Sequence, residues 1–360
     1  MFVEELNVGG RRVPLVHLAK DENAIVFSDV HFGLRYGGRT LSLHEDLSNF
    51  LDHLNDEDKT RLLVLLGDIF ELWSGSLRDV FQDALNPLRL IARLSSSVIF
   101  VPGNHDRISA RMRFPGSRWA GEIYVTPDIL LLDVEGKKVL LFHGHQLDNL
   151  FLLTKGLWRV QSYIYLFSEM LFALPGPLEW FFAALATLTV LLLLFLFHAT
   201  SLLMEATIIL ASIILFSPLI ILLWRDLQDK VWYGFVQKIG PRLFKSRLRG
   251  KSIESLAVSK PLKKLVSFLE SYPEIGRVDV VIFGHTHVPG FLVSNGKVFI
   301  NTGSWVKNSY NSDNGVENKT YVRIEGGKVR LCKWDGKEVV LFEKEIQGKK
   351  QIFNNNFYGL

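Results

Sequence analysis

The chain has 360 residues, 48% of them apolar, with a formal net charge of +4 and a mean hydropathy of +0.19. That length carries one large or two ordinary domains, and the single cysteine, Cys332, excludes an internal disulfide framework and suits a reducing compartment. Neither surplus is spread evenly. The apolar excess sits in residues 178–224 and the basic excess in 225–251, where only Asp226 and Asp229 are acidic, so the charge points to lipid head groups before nucleic acid.

The opening Met1-Phe2-Val3-Glu4-Glu5 lacks a basic region followed by an apolar one, and no signal peptide is expected. Residues 12–18 read as a strand and 24–27 as a fully buried one, ending in Ser28-Asp29-Val30-His31. After a polar loop, Leu43, Leu47, Phe50, Leu51 and Leu54 recur at helical spacing. A buried strand over 61–66 ends in Gly67-Asp68-Ile69-Phe70-Glu71, a helix is expected over 77–94, and a strand over 98–101 ends in Pro102-Gly103-Asn104-His105-Asp106. Next come an arginine-rich segment (Arg111, Arg113, Arg118) and paired strands over 129–134 and 138–142, the second ending in His143-Gly144-His145.

Residues 150–174 form an aromatic, amphipathic and helical pattern broken by Pro175-Gly176-Pro177. Residues 178–197 and 202–224 are apolar runs close to the ~20 residues that span a bilayer as helix, separated only by His198-Ala199-Thr200-Ser201. A helical hairpin is the expectation, with Glu205 tolerated near the loop and Pro218 kinking the second span. The short loop has no lysine or arginine and both outer flanks do, which puts both flanks and both termini on the cytoplasmic side of an integral membrane protein with two spans. Beyond it, a helix over 260–271 precedes a strand over 278–283 that ends in Gly284-His285-Thr286-His287. A strand over 298–301 ends in Thr302-Gly303-Ser304-Trp305, and strands over 319–325 and 328–334 pair across Gly326-Gly327. The expected organisation is a first catalytic part over 1–150, an insert over 151–252, a second catalytic part over 253–335 and a polar, weakly ordered tail over 336–360. Strands alternating with helices indicate an α/β layered domain.

The strand ends collect Asp29 with His31, Asp68, Asn104 with His105 and Asp106, His143, and His285 with His287. Such oxygen and imidazole donors, with no thiolate, suit hard or borderline divalent ions: Mn²⁺ first, with Fe²⁺ or Zn²⁺ as alternatives. There are more donors than one ion needs, so two ions sharing a carboxylate are expected.

The ordered set Asp29-x-His31, Gly67-Asp68, Gly103-Asn104-His105-Asp106, His143 and Gly284-His285-x-His287 resembles the calcineurin-like metallophosphoesterase superfamily. The resemblance implies a two-sheet α/β sandwich flanked by helices, here interrupted by the transmembrane hairpin. It also implies one ion on Asp29, His31 and His287, another on Asn104, His143 and His285, and Asp68 bridging both. In that arrangement two cations clamp a phosphate and a metal-bound hydroxide attacks phosphorus in line. His105 is then the catalytic general acid or charge stabiliser at the leaving group, oriented by Asp106, and Arg107, Arg35 and Arg39 are the candidates to bind phosphate oxygens. His145 is the alternative to His143, and Glu71 is read as orienting a ligand. His17, His44, His53 and His198 read as surface or packing residues.

Within the superfamily, Gly67-Asp68-Ile69-Phe70-Glu71-Leu72-Trp73, the insert before the last histidine motif, and Asn301-Thr302-Gly303-Ser304-Trp305 resemble the UDP-2,3-diacylglucosamine pyrophosphatases. The expected function is hydrolysis of a phosphate bond in a lipid-linked or nucleotide-lipid substrate, with membrane lipids as partners and no nucleic acid. The alternatives are a tethered phosphatase or phosphodiesterase on a soluble substrate, and a metal-free scaffold on this fold.

Overall fold

The computed structural model describes residues 3–8, 11–36, 38–57, 60–72, 75–94, 96–106, 123–126, 128–147, 250–257, 259–307 and 318–346, with residues 188, 204, 206, 207 and 210. Residues 1–152 and 246–360 form one compact unit and 153–245 a second. Of the second unit only Leu188, Met204, Ala206, Thr207 and Leu210 are described, all helical. The two expected spans otherwise lie outside the described residues, as does the aromatic segment 150–174. Among the described residues no helix is long and apolar enough to cross a membrane.

The first unit is built on two seven-stranded sheets. One runs β16 (Glu338–Glu345), β15 (Lys328–Trp334), β14 (Thr320–Glu325), β3 (Asn23–Phe27), β6 (Thr60–Leu65), β7 (Ser97–Phe100) and β8 (Ile123–Val125). The other runs β1 (Val3–Val8), β2 (Arg11–Leu18), β9 (Ile129–Val134), β10 (Lys137–Phe142), β11 (Val278–Phe283), β13 (Lys297–Asn301) and β12 (Gly290–Ser294). A small hairpin, β4 (Arg35–Tyr36) with β5 (Arg39–Thr40), follows the turn that carries Asp29 and His31.

Alternation along the strands builds the layers. Ala24 and Val26 face the opposite sheet, meeting Leu132, Leu141 and Ile282 in the central core. Their neighbours Ile25 and Phe27 face outward onto α1 (His44–Glu57) and α2 (Leu77–Ile91), packing with Leu47, Phe50 and Leu51. On the far side Leu140, Phe142, Val281 and Phe283 pack beneath α3 (Ile253–Ala257) and α4 (Lys260–Glu270). Because both faces of each sheet are covered, the central strands read as continuous apolar runs, which is why periodicity located them. The helices start on side-chain caps: Ser76 accepts from Asp79 N at 3.2 Å, and Ser259 precedes a proline in the first turn of α4.

Adjacent strands run parallel in each sheet, β3–β6–β7–β8 in one and β10–β11–β13 in the other. Their carboxyl ends therefore share an edge, where open α/β sheets place ligands. One expectation changes. The region expected as a polar tail supplies edge strand β16, paired with β15 and tied by Glu343 to Lys328. β16 is exposed over most of its length, so it lacks the alternation that marks a half-buried strand.

Candidate metal centre

Six strand ends converge, and the turns stay stitched to one another past the last ladder bonds. Asp29 N donates to Gly67 O at 3.0 Å, His31 N to Asp68 O at 3.0 Å, and Gly284 N to His143 O at 2.8 Å. Asp29, His31, Asp68, His285 and His287 all hold positive φ, between 50° and 72°. Non-glycine residues pay strain there, and five such residues in one cluster mark a backbone bent to aim side chains inward.

The side chains gather in two groups. Asp29 Oδ1 lies 3.2 Å from His287 Nε2 and 3.9 Å from His31 Nε2, and the two imidazole Nε2 atoms are 3.2 Å apart. Asp68, His143 and His285 form the second group. Asp68 Oδ2 sits between the groups, 3.1 Å from His143 Nε2 and 3.8 Å from His31 Nε2. The expected grouping of Asp29, His31 and His287 apart from His143 and His285, with Asp68 between, is thus present in space, and His143 rather than His145 joins the cluster.

The donor set fits a cation. Asn104 Oδ1 is buried with no hydrogen-bond partner among the described residues, and Asp29 Oδ1 and His143 Nε2 are buried against His287 and Asp68 at 3.2 and 3.1 Å, an environment that favours a positive charge beside them. His143 Nδ1 is 2.9 Å from Leu66 O and His31 Nδ1 is 2.8 Å from Glu71 Oε2. If each Nδ1 donates there, each neutral imidazole turns a lone pair at Nε2 inward. His31 Nε2 and His287 Nε2, 3.2 Å apart, are close enough to share one proton or one cation. The field says the same. Burial opposes charge on Asp29 and Asp68, yet the surrounding imidazoles, His143 foremost, hold both carboxyls below their usual range. Burial likewise opposes a charged His143, but Asp68 and Asp29 pull it up to about 10, whereas burial and then His143 push His285 down to about 3. The carboxylates thus draw positive charge into the pocket, and a proton on His143 Nε2 and a metal ion are alternative ways of supplying it.

Glu71 does what was expected of it and more. Its fully enclosed carboxylate accepts from His31 at 2.8 Å and lies 2.9 Å from His105 Nδ1, joining two imidazoles whose rings are 4.8 Å apart. Burial raises its pKa, but His105 and His31 outweigh that and hold it well below the carboxylate range. This corrects the role expected of Asp106. Asp106 accepts from the amides of Gly103 at 2.6 Å, Ile69 at 2.7 Å and Phe70 at 3.3 Å, fixing the turn, while Glu71 meets His105. Sequence adjacency favoured Asp106; only the fold brings Glu71 across. Glu71→Gln, which keeps shape but removes the charge, is expected to weaken Mn²⁺ binding by ~10–100-fold in a metal titration.

Arg35 also departs from expectation. Its guanidinium grips Asp83 of α2 through two bonds of 2.6 and 2.7 Å, and Asp83 Oδ2 also accepts from Gly33 N at 3.0 Å. Arg35 therefore holds the turn after His31 onto α2 instead of standing ready for phosphate. Arg35→Ala leaves the buried Asp83 carboxylate short of its partner. It is expected to cost ~2–4 kcal/mol in denaturant unfolding. Arg39 is exposed on β5. Arg107, with Arg111, Arg113 and Arg118, lies outside the described residues.

Convergent carboxylates, imidazoles and an amide on a two-sheet sandwich define a metal-dependent phosphoester hydrolase. Residues 23–185, which carry Asp29, His31, Asp68, Asn104 and His143, match the calcineurin-like phosphoesterase family. No curated protein matches the sequence. Similar solved structures include Yfce, a phosphoesterase from E. coli, at 13% identity, covering 90% of this chain and 100% of that one with a TM-score of 0.37. An archaeal phosphodiesterase shares 14% identity over 89% and 99% of the two chains with a TM-score of 0.32. Vps29 of Chaetomium thermophilum shares 11% over 92% and 99%, with a TM-score of 0.38. At that distance they carry nothing about substrate.

Proposed function

We propose that this chain hydrolyses a phosphate bond of a lipid-linked or nucleotide-lipid substrate, using two divalent ions, Mn²⁺ by preference. The observation that carries the hydrolase part is the pair of donor groups meeting at Asp68. Asp29, His31 and His287 would hold one ion, Asn104, His143 and His285 the other, and Asp68 both. Bound there, the ions would supply charge to neutralise phosphate oxygens and to activate water.

The protein's own contribution is orientation and proton handling. His31 and His143 are each fixed through Nδ1, by Glu71 and by Leu66 O, so Nε2 is presented inward. His105 is partly exposed, and its Nε2 lies 4.0 Å from Asp68 Oδ2. With Nδ1 held by Glu71, its Nε2–H is placed to give a proton to the leaving oxygen, and the Glu71 carboxylate stabilises the imidazolium beforehand.

The lipid part rests on sequence: the apolar runs 178–197 and 202–224, the basic stretch 225–251, and the motifs shared with UDP-2,3-diacylglucosamine pyrophosphatases. In this reading the hairpin anchors the chain with the catalytic unit cytoplasmic, and the basic stretch holds the site near anionic lipids. The test is Mn²⁺-dependent phosphate or nucleotide release by the full chain in detergent, over UDP-diacyl sugars, CDP-lipids, lipid phosphates and a soluble aryl phosphate. Strong preference for a lipid arm is expected. Equal or better turnover of the aryl phosphate would remove the lipid specificity and keep the hydrolase.

A further inference from the structure

The helix that braces the His31 turn has an outer face that the fold leaves in water. On α2, Leu77, Phe81, Leu85 and Leu88 follow one another at four, four and three residues, a single helical stripe. All four are exposed, Phe81 by 67% and Leu85 by 73%. The inner face is fully used: Val80, Asp83, Ala84, Leu90 and Ile91 are buried, and Asp83 binds Gly33 and Arg35. An apolar stripe on a helix already packed on its other side is not a core face.

Charge selects what covers it. Arg78, Arg89 and Arg93 are exposed along the same helix and the residues just beyond its end. The two acids of α2 are both turned to Arg35, Asp83 at 2.6 Å and Asp79 at 3.7 Å. The outward surface is therefore apolar and cationic. A second copy of the same face would set arginine against arginine, and a nucleic acid has no use for four large aliphatic and aromatic side chains. Anionic phospholipid satisfies both halves, the stripe entering the acyl boundary and the arginines meeting head groups.

We propose that the outer face of α2 is a docking surface for an anionic bilayer, holding the turn that carries His31 at the lipid–water boundary. This rests on reading the chain as membrane-bound, and it adds a second, interfacial contact to the anchor. Bound so, α2 would present the metal centre to head groups without substrate leaving the membrane.

The experiment places an environment-sensitive fluorophore on Leu85→Cys in the full chain, with Asp21→Cys as control. Asp21 lies in the turn before β3, at the opposite end of that strand from the site. The native Cys332 does not compete, being buried with its thiol pushed up to about 12 by burial and Glu338. Labelled chain is mixed with vesicles of phosphatidylcholine alone or with phosphatidylglycerol, with bromine on the acyl chains. The expected result is a blue shift and loss of emission at residue 85 that requires phosphatidylglycerol, is absent at residue 21, and is diminished by Phe81→Asp. An aqueous signal at 85 on anionic vesicles overturns the proposal, and so does a blue shift there that the brominated acyl chains do not quench, which would mean protein covers the face. Anchoring is read separately, by whether the chain stays with vesicles after a carbonate wash. Its failure leaves the quenching result standing on its own.

Discussion

Asp68→Asn should lower Mn²⁺-dependent phosphoester turnover by roughly 10³-fold or more, equivalent to about 4 kcal/mol in the barrier. The same substitution should lower bound metal while leaving the circular dichroism spectrum unchanged. The reason is position. Asp68 Oδ2 is the atom between the two donor groups, 3.1 Å from His143 and 3.8 Å from His31, whereas Oδ1 accepts from His105 N at 2.9 Å. An asparagine can keep its carbonyl oxygen on that amide, so the turn survives, but it puts an uncharged NH₂ where two positive centres are to be joined. A variant with native metal content and native rate would remove Asp68 from its bridging place.

Gly103→Ala should be nearly as damaging by a different route. A Cβ at residue 103 would stand 2.5 Å from Asp68 N and run into the Asp68 carboxylate itself. The obstructing atoms are the backbone and carboxylate of Asp68, neither of which can yield without moving the donor cluster. A cost of about 3 kcal/mol in unfolding free energy is expected, with loss of metal-dependent activity beyond what the stability change explains. Gly136→Ala is the matched comparison. Gly136 has φ +81° and nothing within 4 Å of an added Cβ, so strain alone applies, at about 1–2 kcal/mol. Denaturant melts with activity measured well below the transition separate the two. If both variants keep full activity, the close approach of Gly103 to Asp68 is not what holds the carboxylate in place.

The turns that carry the site residues were legible because buried parallel strands leave long apolar runs in the sequence, and each run ends in a residue type that a strand core would reject. Asp29, Asp68, Asn104, His143 and His285 announce themselves that way. What the sequence hides is partnership across the fold. Glu71 reaches His105 from another loop, while Asp106, its chain neighbour, is spent on the amides of Gly103, Ile69 and Phe70. Arg35 looks available beside a metal motif until Asp83, 48 residues on, is seen to hold it in a two-pronged grip. β1 and β16 escape pattern reading for a different reason: both are edge strands with much of their length in water, so burial imposes little periodicity on them. The positive φ of five site residues leaves no trace in residue choice, since Asp and His stand where backbone comfort alone would take glycine.

The most direct test is a Mn²⁺ titration of chelator-stripped full chain, with bound metal and phosphoester turnover measured on the same samples. Two donor groups sharing Asp68 predict that turnover rises with bound metal, saturates near two ions per chain and returns to baseline on chelation. Turnover that persists in metal-free protein, or saturation of binding with no turnover on any phosphoester, would contradict it.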